Sequence, residues 1–319
     1  MLYKFPLFLF CTLCLFKNAW AQQKAYKNEF GFRSDNDSYL ALGQDQYYTN
    51  GLFISFRHAV NQNTISSQLQ KKIWEIEAGQ YMYNSKTGKI RKISDVDRPF
   101  AAYLYAGGKI SWLKKNEQIF QGSFQIGTIG PSAKGKEAQE FLHNTFGFYK
   151  ISGWEYQVKD ETGLNLAFDY LTLVKRNSAQ NTDISFAGSV RAGNTFSGAS
   201  TGILFRTGKI NRLFETASTN SLVSNSSADS STEKEIFFFA KPSLSFIAYD
   251  ASIQGGMFRE DKGPAIFDPK RFVFSQELGL MYSQKRWTLD FSLIFKSREV
   301  KSTAKPHQYG EASVYYRFN

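Results

Sequence analysis

Along most of this chain apolar and polar residues alternate one by one. Phe30 and Phe32 alternate with Glu29, Gly31 and Arg33, and Leu52, Ile54 and Phe56 with Ser55 and Arg57. Trp74, Ile76 and Ala78 alternate with Glu75, Glu77 and Gly79. The same period runs through Phe120, Phe124 and Ile126, and through Leu164, Leu166, Phe168 and Tyr170. A period of two sends successive side chains to opposite faces of a strand. The pattern predicts strands at about residues 26–36, 47–60, 72–84, 99–113, 117–129, 161–176, 180–194, 199–210, 235–258, 270–283, 286–299 and 307–318. That makes about twelve, an even number, as in single-chain bacterial membrane barrels. A soluble sandwich would alternate in the same way with its faces reversed, so the period alone leaves both open.

The chain end favours the barrel. Val314, Tyr316 and Phe318 alternate with Ser313, Tyr315 and Arg317, closing on an aromatic one residue from the end, as the last strand of bacterial outer-membrane barrels typically does. Residues 235–258 read as one long strand, with Pro242 and Gly255-Gly256 as its weak points. Residues 211–234, with the run Ser224 to Thr232, read as a low-complexity linker, long for a turn. With the N-terminus in the periplasm the first strand rises, so the loops at 36–47, 84–98 and 130–160 share the outer rim.

One stretch breaks the alternation. From Gly127 the strand runs into Gly130-Pro131 and restarts as a short helix carrying Gln139 and His143, four apart and so on one face. Gly147 is placed to end it. The chain has three histidines, and only His143 lies in such a segment; His58 and His307 sit in strand and turn contexts.

Composition narrows the compartment. Lys4, the apolar run Phe5 to Phe16 and Ala19-Trp20-Ala21 read as a signal peptide over residues 1–21, leaving 22–319 as a single barrel domain. Both cysteines, Cys11 and Cys14, lie within the peptide, so the mature chain offers no disulfide or thiolate ligand. Removing Lys4 and Lys17 takes the net charge from +11 to 11 − 2 = +9. A basic exported protein suits an anionic partner, and lipid phosphate fits that compartment where nucleic acid does not. Aromatics reach 16%, with 30 Phe and 17 Tyr, yet no later stretch approaches the roughly 20 apolar residues of a membrane helix. Rich aromatics without a long apolar run are expected of a membrane barrel, in which alternate residues face lipid.

Three clusters fall at the same predicted end as His143: Asn36-Asp37-Ser38, Tyr47-Tyr48-Thr49-Asn50-Gly51 and Asp97-Arg98-Pro99-Phe100. A carboxylate among amide, hydroxyl and carbonyl oxygens suits a hard cation such as calcium. A nearby histidine can then deprotonate water for attack on an ester carbonyl, with Gln139 one turn away helping to fix its ring. Asn-Asp-Ser and Asn-Gly are equally ordinary turn residues, and Asp97-Arg98 reads as a rim salt bridge. No Gly-x-Ser-x-Gly elbow and no His-Glu-x-x-His motif occurs, against a serine phospholipase and a zinc hydrolase. A barrel that binds or transports an anionic ligand without catalysis stays open.

Asn36-Asp37, Tyr48-Thr49-x-Gly51-Leu52-Phe53, Asp97-Arg98-x-Phe100, Gly127-x-Ile129-Gly130-Pro131, Gln139-x-x-x-His143 and Trp154-x-x-Gln157 occur in the order seen in the outer-membrane lipid A 3′-O-deacylases, which this chain resembles over residues 28–160 and more loosely beyond. The resemblance implies a twelve-stranded barrel with its active site between the outer wall and a loop helix. It implies calcium-dependent removal of the 3′-linked acyloxyacyl group from lipid A, here by a monomer in the outer membrane. On it, His143 is the water-activating base and Gln139 its companion, while Asn36, Asp37 and Thr49 bind the cation (Asp37 and Thr49 as ligands) and support the oxyanion. A family lysine meets substrate phosphate; Lys86, Lys89, Arg91 and Lys92 all compete for that place, with Lys89 and Arg98 taken as substrate-binding. Tyr149 stands where some members carry an acid.

Overall fold

Consecutive strands pair throughout, and the last pairs with the first. In the computed structural model, which describes residues 25–40, 45–226 and 234–319, the strands are β1 (Asn28–Asn36), β2 (Tyr48–Ala59), β3 (Leu69–Tyr83), β4 (Ala101–Lys114), β5 (Gln118–Ile129), β6 (Glu161–Arg176), β7 (Thr182–Gly193), β8 (Phe196–Lys209), β9 (Glu235–Asp250), β10 (Phe272–Gln284), β11 (Trp287–Lys296) and β12 (His307–Phe318). All pairings are antiparallel, and β12 on β1, from Asn28 opposite Phe318 to Asn36 opposite Gly310, closes the barrel. Closure leaves no strand edge unpaired, the condition for placing a sheet in hydrocarbon. The proposed signal peptide lies outside the described residues.

The two faces settle the ambiguity of the alternation. Phe30, Ile54, Ile76, Ile126, Leu166, Phe168 and Phe291 are exposed on the outer surface, whereas Glu29, Arg57 and Glu75 are buried in the lumen. There Arg57 bonds Glu29 at 2.6 Å and also Glu75. Apolar residues face out and paired charges face in, which is the order lipid imposes. Towards the loop end the lumen is filled by rings. Tyr105 stacks 5.4 Å from Tyr103 and 5.7 Å from Tyr81, with Phe53 and Phe196 beside them.

Two expectations need correction. Residues 211–226 are not a loose linker. Leu213, Phe214 and Val223 are buried against Ala59, Ile73, Leu113 and Ile119, so the segment folds into the termini end of the barrel. Lys71 and Arg206 hold it by bonds to Ser221 O and the Thr216 hydroxyl, at 3.1 and 2.9 Å. The rest of that stretch, 227–233, lies outside the described residues. Nor does β9 run to 258: it ends at Asp250, and a short helix α2 (Ala251–Gln254) follows, capped by the Asp250 carboxylate on Ser252 N at 2.9 Å. Pro242 sits inside β9 without breaking it, opposite Gln276 of β10.

The connections 36–47, 84–98 and 130–160 do share one end. Tyr47 donates to Asp97 at 2.9 Å, and Ile90 N bonds Ser152 O at 3.1 Å.

Candidate active site

The helix predicted in the third of these connections is α1 (Gly135–Phe146). Gly130 at φ +100° and Pro131 turn the chain out of β5, and Lys134 in the left-handed region leads into α1. Gly135 admits no side chain, because a Cβ would lie 2.4 Å from Ala102 Cβ and 2.5 Å from the Trp154 ring. The helix therefore lies directly on the barrel. Its core neighbours Met82 and Ala102, with Gln80, whose amide donates to Ala133 O at 2.5 Å, alternate with the lumen-facing Tyr81, Tyr103 and Tyr105. So α1 is laid against the outside of the wall. Gly147 ends it at φ +71°, its N–H reaching His143 O.

His143 faces the barrel and is 6% exposed. Its Nδ1 lies 2.8 Å from Tyr149 O, so Nδ1 carries the proton it donates to that carbonyl. Its Nε2 lies 3.3 Å from Asp45 Oδ2, which also accepts from the Tyr149 hydroxyl. The Asp45 Oδ1 accepts from the Thr49 hydroxyl at 3.3 Å, and that hydroxyl is 3.4 Å from Asp37 Oδ1. Asp37 Oδ2 accepts from Gln46 N at 2.7 Å. A β-bulge between Tyr48 and Asn50 releases Thr49 from the ladder with β3. Bulges re-aim side chains in this way.

Charge is unevenly settled here. Burial, with the neighbouring Asp45, pushes the Asp37 carboxyl up to about 8, more than the Gln46 N–H and Thr49 hydroxyl bring it down. Burial acts against ionisation of Asp45 too, yet His143 and the Tyr149 hydroxyl outweigh it and hold that carboxyl below its usual range. Burial likewise disfavours a charged His143, but Asp45 and the Tyr149 carbonyl reverse this and raise it. His143 and Asp45 each favour the other's charged form, whereas the groups that bond Asp37 are neutral.

Sequence-predicted residues divide accordingly. Asp37, Thr49 and His143 are brought into one chain of contacts. Asn36 adjoins it, but its Oδ1 closes a turn onto Ser38 N at 2.7 Å. Gln139, 2% exposed, does not fix the His143 ring: its Oε1 accepts from Trp154 Nε1 at 2.9 Å, and its Nε2 is buried with no hydrogen-bond partner. Of the four candidate cations, Lys89 stands out, its Nζ 4.3 Å above the Tyr149 ring. Arg98 does not join the site. It is 1% exposed, bonds Ser252 at 3.0 Å and lies over Tyr83, so burial removes it from any surface a substrate would meet. The rim salt bridge expected of Asp97-Arg98 is replaced by Asp97 clamping Tyr47 and Ser85. His58 bonds Asn28 on the wall, and His307 is buried beside Glu299.

Asp45 is the residue the sequence reading passed over. Its signal was slight, a carboxylate four positions before Thr49 in a loop of ordinary turn residues. Among the described residues no three His, Cys, Asp or Glu side chains converge as a ligand set. A cation here would draw on Asp37, Asp45, the Thr49 hydroxyl and main-chain carbonyls, an all-oxygen set of the kind hard cations take. Asp37 fits such a role, because a nearby cation would offset the burial and the Asp45 repulsion that now keep it protonated.

The family described as "Outer membrane protein LpxR" matches residues 7–318. Among solved structures, LpxR from Salmonella typhimurium superposes at a TM-score of 0.72 and 18% identity, covering 91% of this chain and 100% of that one. The β domain of the Bordetella autotransporter BrkA matches at a TM-score of 0.50 and 9% identity, over 92% and 100%. At these identities both bear on the fold alone. No curated protein matches the chain.

Proposed function

The chain belongs to the outer membrane protein LpxR family and lies in the bacterial outer membrane, and from that premise we propose that it is a lipid A 3′-O-deacylase. The reading is calcium-dependent hydrolysis of the ester-linked 3′-acyloxyacyl group, at the outer leaflet. The observation that carries it is His143, a buried base on a helix laid against the lipid-facing wall, with the Asp37–Thr49–Asp45 oxygen cluster beside it.

With Nδ1 donating to Tyr149 O, a neutral His143 presents its Nε2 lone pair as the base. It takes a proton from water as the water oxygen attacks the ester carbonyl. Asp45, 3.3 Å from Nε2, stabilises the imidazolium that forms. That proton then passes to the leaving sugar oxygen, giving a free fatty acid and a free 3′ hydroxyl. The buried Nε2 of Gln139, lacking a partner, is a donor held ready for the developing oxyanion. A calcium ion held by Asp37, Thr49 and Asp45 would supply Lewis-acid polarisation of the ester carbonyl. Lys89, exposed beside Tyr149, would meet a lipid phosphate on this reading.

The filled lumen and the folded 211–226 segment weigh against the other reading, a barrel that transports an anionic ligand. Mass spectrometry of lipid A from cells with and without the protein tests the proposal. Loss of the 3′-linked acyl groups only where the protein is present is expected, and identical lipid A in both would overturn it.

A further inference from the structure

Charge is sorted differently at the two ends of the barrel. At the loop end exposed cations have carboxylate partners, as in Lys134 with Glu137 at 3.1 Å, Lys159 with Asp261 at 3.8 Å and Lys301 with Asp268 at 3.9 Å. At the termini end the carboxylates turn inward. Glu29 is buried on Arg57 and Arg317, Glu117 on Arg176, and Asp183 on Arg206, while Glu235 accepts from the N–H groups of Asn211 and Ala217. Buried arginines need such partners, so the lumen draws the acids in. Lys27, Lys115, Lys175, Arg212, Lys234 and Arg286 stay exposed at that end. Among the described residues, no carboxylate is paired with any of these six. Of the other side-chain carboxylates in those connections, only the partly buried Glu215 is described.

This ring of positive charge sits just past an aromatic belt on the outer wall. Trp112 stands opposite Phe120, and Phe120 opposite Tyr170, with their rings 5.0 Å apart. Trp287, 48% exposed, stands opposite Tyr316 at 4.8 Å, and Trp74 on β3 is 36% exposed. Such belts lie at the boundary between hydrocarbon and water. Lys114, two residues beyond Trp112, starts about 7 Å farther out, within a headgroup layer about 5–8 Å thick. Its Nζ reaches back to 4.9 Å from the Phe120 ring, and the Arg286 guanidinium lies 5.8 Å from that of Tyr316. β10 and β11 are joined by two residues, and β4 and β5 by three. Connections this short mark the periplasmic side of a bacterial barrel.

We propose that this ring is a docking surface for anionic phospholipid headgroups of the periplasmic leaflet, so that the barrel gathers negatively charged lipid around the end opposite its candidate active site. Clustered lysine and arginine at a membrane surface attract anionic lipid in this way. The belt fixes the occupant: cations set beside it meet phosphates carried at the membrane surface, not a polyanion free in the periplasm. The inference stands whether or not the proposed reaction is correct.

The protein carries its own probe. Of its five tryptophans, Trp20 falls in the proposed signal peptide, Trp74, Trp112 and Trp287 stand in the belt, and Trp154 is buried at the loop end. The full barrel is reconstituted in vesicles of brominated phosphatidylglycerol with plain phosphatidylcholine, and in vesicles with the bromine on the other lipid. Bromine quenches the tryptophans it touches, so the two mixtures together give the relative affinity. Phosphatidylglycerol should be preferred several-fold in low salt. The preference should vanish in 1 M salt, where charges are screened beyond about 3 Å. A variant combining Lys115→Gln, Lys175→Gln, Arg212→Gln, Lys234→Gln and Arg286→Gln, checked for heat-modifiable gel mobility, should lose the preference. Neutralising Lys134, Lys136, Lys150, Lys270 and Lys301 at the loop end should leave it intact. Equal quenching of the unaltered protein by both lipids in low salt would overturn the proposal, whether or not the variants fold. So would a preference that survives in the first variant. Inorganic phosphate that displaces the lipid more than chloride of equal ionic strength would assign the ring to a soluble anion and equally refute it.

Discussion

In the proposed cation site, Asp37 would make binding a proton-linked event. Its carboxyl sits at about 8 before any cation arrives, whereas Asp45 is held below its ordinary range by His143. Below about pH 8, binding at Asp37 must therefore expel one proton, and Asp45 contributes none. Affinity for calcium should then fall about 50-fold between pH 8 and pH 6, approach a tenfold fall per pH unit further below 8, and level off above it. In free energy that is about 1.4 kcal/mol per unit. The sign is fixed by which state binds the proton: the cation-free protein holds it, so acid opposes binding. Isothermal titration calorimetry in buffers of differing ionisation enthalpy measures both affinity and protons released. About 0.9 proton should be released at pH 7, since a group at 8 is about nine-tenths protonated there. Asp37→Asn should bind weakly and without a pH slope. Affinity that stays constant from pH 6 to pH 8, with no proton release, would refute the reasoning.

His143→Ala should lower turnover by at least about 10²-fold, the lower end of general-base assistance. The variant should still show the heat-modifiable gel mobility of a closed barrel, because α1 lies outside the strand ladder. His58→Ala, on the wall, should hydrolyse near the wild-type rate. EDTA should abolish hydrolysis and calcium restore it better than zinc; full activity in chelator would remove the cation from the mechanism. Gly135→Ala inserts a methyl where Ala102 and Trp154 leave no room. It should therefore lift α1 from the wall and reduce turnover while barely changing barrel melting, and wild-type turnover would show that the docking seen here is unnecessary.

The period of two was sufficient to count the wall, because a strand in lipid has no other way to arrange its faces. Apart from the end of β9, at Asp250 instead of 258, boundaries agreed within a few residues for the same reason, and β12 announced itself by its aromatic end. The sequence was also enough to set His143 apart, as a histidine on a helical interruption of a β pattern, and to end that helix at Gly147. Other features were decided only by the closed structure. The polar run after residue 210 looked like a linker, yet a lumen at the termini end gives Leu213, Phe214 and Val223 something to be buried in. Arg98 looked like a rim cation until the fold turned it onto Tyr83 and Ser252. Asp45 had only a slight local signal, since its meaning comes from α1, far along the chain, bringing His143 within 3.3 Å. Periodicity is written in neighbouring residues and survives as sequence. A proton-sharing contact between two loops exists only once the strands that carry them have set their ends side by side.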